Sequence, residues 1–185
     1  MLDAPELARL DAITPSFDPL EVLAWTHAER PHTRFLAWLL DPAPHRPGGG
    51  HGLGTAVLRA LVARAIRSVD ALPGVEPAAI PRHPAPIDPA GVSVLREAPF
   101  GDGVRASARA PDVRCTWRDP DGTPWVVLIE NKIDAGEGDG QIRDYLAWAA
   151  REHPGARRML LYVTPDGRVA DSPALGELVV PLTWS

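Results

Sequence analysis

Trp125, Val126, Val127, Leu128 and Ile129 follow one another without a polar interruption. A strand that faces solvent on one side alternates apolar and polar residues, so this continuous, largely β-branched run predicts a strand covered on both faces. Such a strand belongs inside a layered fold with helices against a sheet. The chain of 185 residues is long enough to bury one core of that kind. The expectation is an α/β (α+β sandwich) fold in one domain spanning 1–185.

The rest of the pattern agrees with this layering. Residues 4–40 read as helical, with Leu7, Leu10, Ile13, Leu20, Leu23, Phe35, Leu36, Leu39 and Leu40 as the apolar positions and Pro15, Pro19 and Pro31 dividing them into short helices. Pro42 ends the last of these, and a further helix is expected over about 53–70. A helical part of 1–70 is then followed by a Pro-rich connector of 71–91, which predicts an extended surface path, and by a sheet core of 92–185. Strands are expected over 92–97, 112–118 and 124–133, a helix over 139–153, a strand over 158–164 and a last short strand over 177–182. This order implies a mixed sheet, the late helix crossing between neighbouring parallel strands.

Composition excludes several functional classes. A net charge of −5 argues against a broad electrostatic grip on nucleic acid. Cys115 is the single cysteine, which excludes an internal disulfide and a cysteine-rich zinc site. His27, His32, His45, His51, His83 and His153 lack metal-ligand spacing. No run approaches the about 18 apolar residues of a membrane span, and the N-terminus lacks a signal-peptide pattern, so a cytoplasmic protein without a membrane partner is expected. Among the 19 Lys+Arg, only Lys132 is a lysine; its neighbour Asn131 is the only asparagine and Gln141 the only glutamine. A lysine kept in so Arg-rich a chain marks a place for a compact ammonium rather than a planar fork.

That lysine lies beside an unusual pair of acids. Asp119-Pro120-Asp121-Gly122 is a turn signal between the second and third strands. A hairpin centred on Asp121 sets Asp112 opposite Glu130 with Cβ atoms about 5 Å apart, and alternation turns Lys132 to the same face. A turn centred between Pro120 and Asp121 pairs Asp112 with Ile129 instead and turns Glu130 away. Opposed carboxylates in an apolar strand cannot both stay ionised without compensation. Oxygen ligands so arranged suit Mg2+ or Mn2+, and Lys132 is then placed to hold a water or a phosphate charge. The plain structural alternative is a buried Glu130–Lys132 or Asp112–Lys132 ion pair capping the sheet.

Pro111-Asp112 on one strand and Glu130-Asn131-Lys132 on the next resemble the PD-(D/E)XK nuclease superfamily. Gln141 and Tyr145, one helical turn apart, resemble the Gln and Tyr that this family often carries beside its active site. Glu29, His32, Thr33, Leu39-Leu40-Asp41-Pro42 and His51-Gly52 resemble the opening of one branch, with Thr33 where Ser is usual. The resemblance implies a restriction-endonuclease-like αβββαβ core, preceded by an N-terminal helical segment. It implies a metal-dependent nuclease cleaving phosphodiester bonds, most readily in DNA, with nucleic acid as its partner. It assigns Asp112, Glu130 and Glu29 to Mg2+ or Mn2+, Lys132 to water or phosphate, and Gln141 to orienting the site. Glu97 is a rival for the place of Glu29, and Tyr145 a secondary contributor. Relatives commonly continue beyond the point where this sequence stops, so the end reads as a truncation or a minimal form.

Other signals carry less. Arg105, Arg109, Arg114 and Arg118 form a basic stretch that could meet a nucleic-acid backbone or simply face solvent. Trp38, Trp117, Trp125 and Trp148 fit core positions, and His51, which could contact substrate, better fits a capping or solvent role. A second reading keeps the nuclease fold without catalysis, as an interaction module or a subunit of a larger defence or restriction complex. That reading predicts Glu130 and Lys132 locked together with no room for a cation. A homo-oligomer or a partner protein is compatible with either.

Overall fold

The computed structural model describes residues 29–43, 51–69, 85–98, 110–134, 136–170 and 178–184. The helices expected before residue 29 and most of the Pro-rich connector lie outside them. Two helices come first, α1 (Glu29–Leu40) and α2 (Ala56–Val69). Pro31 sits in the first turn of α1, where a missing N–H costs nothing. A short 3-10 turn, Pro89–Gly91, follows, its Ala90 N–H donating to the Asp88 side chain.

The sheet is built from β1 (Ser93–Arg96), β2 (Val113–Arg118), β3 (Pro124–Asn131), β4 (Arg157–Thr164) and β5 (Val179–Thr183), in that spatial order. The first three strands pair antiparallel; β3–β4 and β4–β5 pair parallel. Helix α3 (Gln141–Glu152) connects β3 to β4. The fold is thus a mixed five-stranded sheet with helices, the restriction-endonuclease-like arrangement. Pro181 is tolerated because β5 is an edge strand of this order, where the absent donor breaks no ladder on its open side.

Each sheet face has its own core, sorted by residue parity. Val113, Cys115, Trp117, Trp125, Val127, Ile129, Met159, Leu161 and Val163 pack with Leu36, Leu40, Leu58, Val62 and Ile66 of α1 and α2. Val126, Leu128, Leu160 and Tyr162 pack with Ile142, Tyr145, Leu146 and Ala149 of α3. Every residue of β3 from Trp125 to Asn131 is buried, as the unbroken apolar run requires. Cys115 lies wholly within the first core, and burial pushes its thiol up to about 12, so it is an inert packing group.

Two core assignments need correction. Phe35 and Trp38 are 41% and 39% exposed and stack on one another on the outer side of α1, because the helix turns Leu36, Ala37 and Leu40 inward instead. His51 joins two loop segments ahead of α2: its Nε2 donates to Asp41 O and its Nδ1 accepts from Leu53 N. No described helix is long and apolar enough to cross a membrane.

Candidate active site

The turn between β2 and β3 decides which groups meet. Asp119 N donates to Thr123 O, Gly122 N donates to Asp119 O, and Asp121 Oδ1 accepts from Thr123 N. Gly122 takes φ +83, which a side-chain-bearing residue rarely adopts. Behind the turn the buried Asp119 carboxylate is fixed by Trp125 Nε1 at 2.8 Å and by the Arg157 guanidinium. These bonds close an odd-numbered loop in which Arg118 pairs with Pro124 and Val113 with Ile129. Continued by one residue, that register sets Asp112, just ahead of β2, beside Glu130.

Glu130 follows Val126 and Leu128 on the α3 side of the sheet, where α3 brings Gln141 and Tyr145. Glu130 Oε1 accepts from Lys132 Nζ at 2.9 Å and from Gln141 Nε2 at 2.7 Å. Its other oxygen, Oε2, is buried and has no hydrogen-bond partner. Gln141 Nε2 also reaches Tyr145 OH at 2.6 Å, and that hydroxyl donates to Ala110 O at 2.7 Å, tethering the segment that carries Asp112. Gly138 N donates to Gln141 Oε1 at 3.1 Å, which orients the amide so that its donor faces Glu130. Asp112 Oδ2 accepts from Asn131 N at 2.7 Å.

The electrostatics follow from this crowding. Burial, then the neighbouring Glu130 charge, push the Asp112 carboxyl up to about 7, against the pull of the Asn131 N–H and Lys132. Burial also raises Glu130, and Lys132 partly offsets it. Burial alone lowers Lys132, but Glu130, Glu29 and Asp112 outweigh it, and the ammonium is held above its ordinary range. Tyr145 is raised by burial and by Glu130, so it stays a neutral donor.

Glu29 opens α1 at the other side of this corner. Its Oε1 accepts from Ile133 N at 3.2 Å and its backbone carbonyl from Asn131 Nδ2 at 3.4 Å. Its charge reaches Lys132 and Asp112, yet among the described residues no three His, Cys, Asp or Glu side chains group as a metal site. Two carboxylates with one orphaned buried oxygen are the donors present, and hard oxygen donors fit Mg2+ or Mn2+. Glu97 lies one residue beyond β1 with φ +44; its backbone N–H donates to Asp112 O at 3.1 Å while the residue itself is exposed.

Two members of the basic stretch, Arg114 and Arg118, fall among the described residues. The Arg114 guanidinium lies 4.8 Å from the centre of the Trp148 ring, and Arg118 donates to Gly122 O at the hairpin tip. Arg105 and Arg109 fall outside the described residues. Asn131 and Trp184, which take no role in the sequence pattern, meet in the fold: Trp184 Nε1 donates to Asn131 Oδ1 at 3.1 Å, and its ring meets His32 at 5.3 Å. The signal was present, since Asn131 is the only asparagine of the chain.

Compared with known proteins, the chain matches the family model described as the PD-(D/E)XK nuclease superfamily over residues 17–183. No curated protein and no solved structure matches it.

Proposed function

The chain belongs to the PD-(D/E)XK nuclease superfamily, and from that premise we propose that it hydrolyses phosphodiester bonds in DNA, with Mg2+ or Mn2+ held by Asp112 and Glu130 and approached by Glu29. The observation that carries this reading is the buried, partnerless Oε2 of Glu130 beside Asp112, since an orphaned buried carboxylate oxygen is costly unless a ligand meets it. A bound divalent cation supplies neutralising charge at the phosphate and a water of lowered pKa.

The chain's own groups do the rest. In the overall step water adds to phosphorus, one P–O ester bond breaks, and the departing oxygen leaves with a proton. Lys132 stays protonated against Glu130 and supplies a point charge for the developing negative charge on phosphate. Gln141 fixes the Glu130 carboxylate, and Tyr145 fixes Gln141 and the Asp112 segment, so the acidic pair keeps its orientation.

One observation favours the second reading, a nuclease-fold module without catalysis or a subunit of a defence or restriction complex: Lys132 and Glu130 stand at 2.9 Å as a closed ion pair. A panel of single- and double-stranded DNA and RNA, incubated with Mg2+, Mn2+ or chelator beside Lys132→Ala, separates the two. Metal-dependent cleavage of DNA that Lys132→Ala loses supports the nuclease. Identical behaviour of parent and variant, with no product from any substrate, supports the module.

A further inference from the structure

We propose that Asn131 is a positioning residue of this site: its side-chain amide ties the first residue of α1 and the end of β5 to β3, and so holds the Glu29 carboxylate beside the strand end that carries Lys132. The inference rests on the metal-site reading above for its consequence and on the hydrogen bonds for its geometry.

Strand alternation points Asn131 to the α1 side while Glu130 and Lys132 point to the α3 side. The residue is 0% exposed, and a primary amide is costly to bury unless its donors and acceptor are met. The indole N–H of Trp184 can only donate, so the amide oxygen must face it, at 3.1 Å. The NH2 group is thereby turned to the Glu29 carbonyl, which can only accept, at 3.4 Å. The same residue's backbone N–H holds Asp112 Oδ2 at 2.7 Å. Three distant segments therefore converge on one side chain and its peptide group. With its backbone pinned, Glu29 places Oε1 on Ile133 N at 3.2 Å, one residue beyond Lys132.

Few residues can substitute. Aspartate sets a carboxylate against the Glu29 carbonyl, and leucine leaves the Trp184 donor and the carbonyl without partners. In a chain whose composition otherwise avoids asparagine, that chemical demand explains why this one is present.

Asn131→Ala and Glu29→Gln, made singly and together, test it through Mn2+ binding by calorimetry and through kcat and KM on DNA. Each single variant is expected to weaken Mn2+ binding and lower kcat by about tenfold, with KM changed less. The double variant should cost less than about threefold beyond Glu29→Gln, because both losses pass through one carboxylate. Losses that multiply, or an Asn131→Ala within about threefold of the parent on both readouts, overturn the proposal. If Asn131→Ala does not fold, Trp184→Phe, which removes the indole donor and keeps a smaller aromatic ring, replaces it: a loss that vanishes in the Glu29→Gln background supports the pin, and an unchanged site overturns it. A parent that binds Mn2+ but cleaves nothing removes the nuclease reading and leaves the binding arm to decide Asn131. A parent that binds no Mn2+ overturns both.

Discussion

Asp112→Asn should make the metal-free protein more stable in mild alkali and remove much of its pH dependence. Burial and the Glu130 charge lift the Asp112 carboxyl from 3.8 to about 7 in the folded chain. A carboxyl raised on folding binds its proton more tightly in the native state. Its contribution is therefore fully present below the unfolded value of 3.8 and is lost as pH rises through about 7. At 1.36 kcal/mol per pH unit, the whole interval corresponds to about 4 kcal/mol. Asp112 is only partly buried, and solvent screening trims this to about 2–3 kcal/mol. For a chain of this size that is about 5–10 °C in melting temperature.

The substitution is mild in shape, because the Asn amide oxygen still accepts from Asn131 N, and it relieves the neighbouring Glu130, whose carboxyl is raised in the same direction. His153 works the other way, its pKa lowered by burial and by Arg114, so the measure is the difference between parent and variant and not the slope of either alone. Thermal unfolding in chelator at pH 5.5, 7.0 and 8.5 provides it. Parent and Asp112→Asn should draw apart as pH rises, the variant above. Mn2+ at about one hundred times its Kd should then restore about 2.7 kcal/mol to the parent at the highest pH and little to the variant. Parallel curves for the two proteins across this range would refute the burial-and-repulsion account of the acidic pair.

Three further outcomes follow from the same geometry. Lys132→Arg should keep the melting temperature and lower kcat by about a hundredfold in a single-turnover cleavage assay, because a planar fork cannot take the place of a compact ammonium against Glu130 Oε1. Tyr145→Phe removes the donor to Ala110 O and should cost about 1–2 kcal/mol in urea unfolding, with a smaller loss of cleavage rate than Lys132→Arg. Asp119→Ala strands the Trp125 indole N–H and the Arg157 guanidinium, and should lower stability by about 3 kcal/mol in urea unfolding and lower kcat at permissive temperature as well, since this anchor favours the register that brings the acidic pair together.

Much of this arrangement is legible from residue types alone, and the boundary between what is legible and what is not has a physical cause. The unbroken run before Glu130 marks β3 because burial on two faces leaves no room for polar alternation. The Gln141 and Tyr145 pair is legible because one helical turn fixes its face. By contrast Phe35 and Trp38 read as core residues and are exposed, because hydropathy ranks side chains without telling which arc of a short helix has a sheet to rest on. Arg114 reads as a solvent or phosphate contact and instead lies over Trp148, a tertiary encounter that no local pattern encodes. Asn131 is conspicuous by rarity, but its partners Glu29 and Trp184 are brought to it only by the docking of α1 and β5.

The register shows how small a local difference separates a chemical site from ordinary packing. Two turns suit Asp119-Pro120-Asp121-Gly122, and they differ by one residue of pairing. The alternative would carry Glu130 to the α1 side, away from Gln141, and leave a carboxylate among the apolar side chains of α1 and α2. What selects between them is not at the acidic pair. It is the Asp119 carboxylate, held by Trp125 and Arg157, together with Gly122 at a φ closed to most residues and Asp121 capping Thr123 N. A buried ionic anchor at the closed end of the hairpin therefore sets which face every side chain of β3 takes, and with it the meeting of Asp112, Glu130 and Lys132 at the open end.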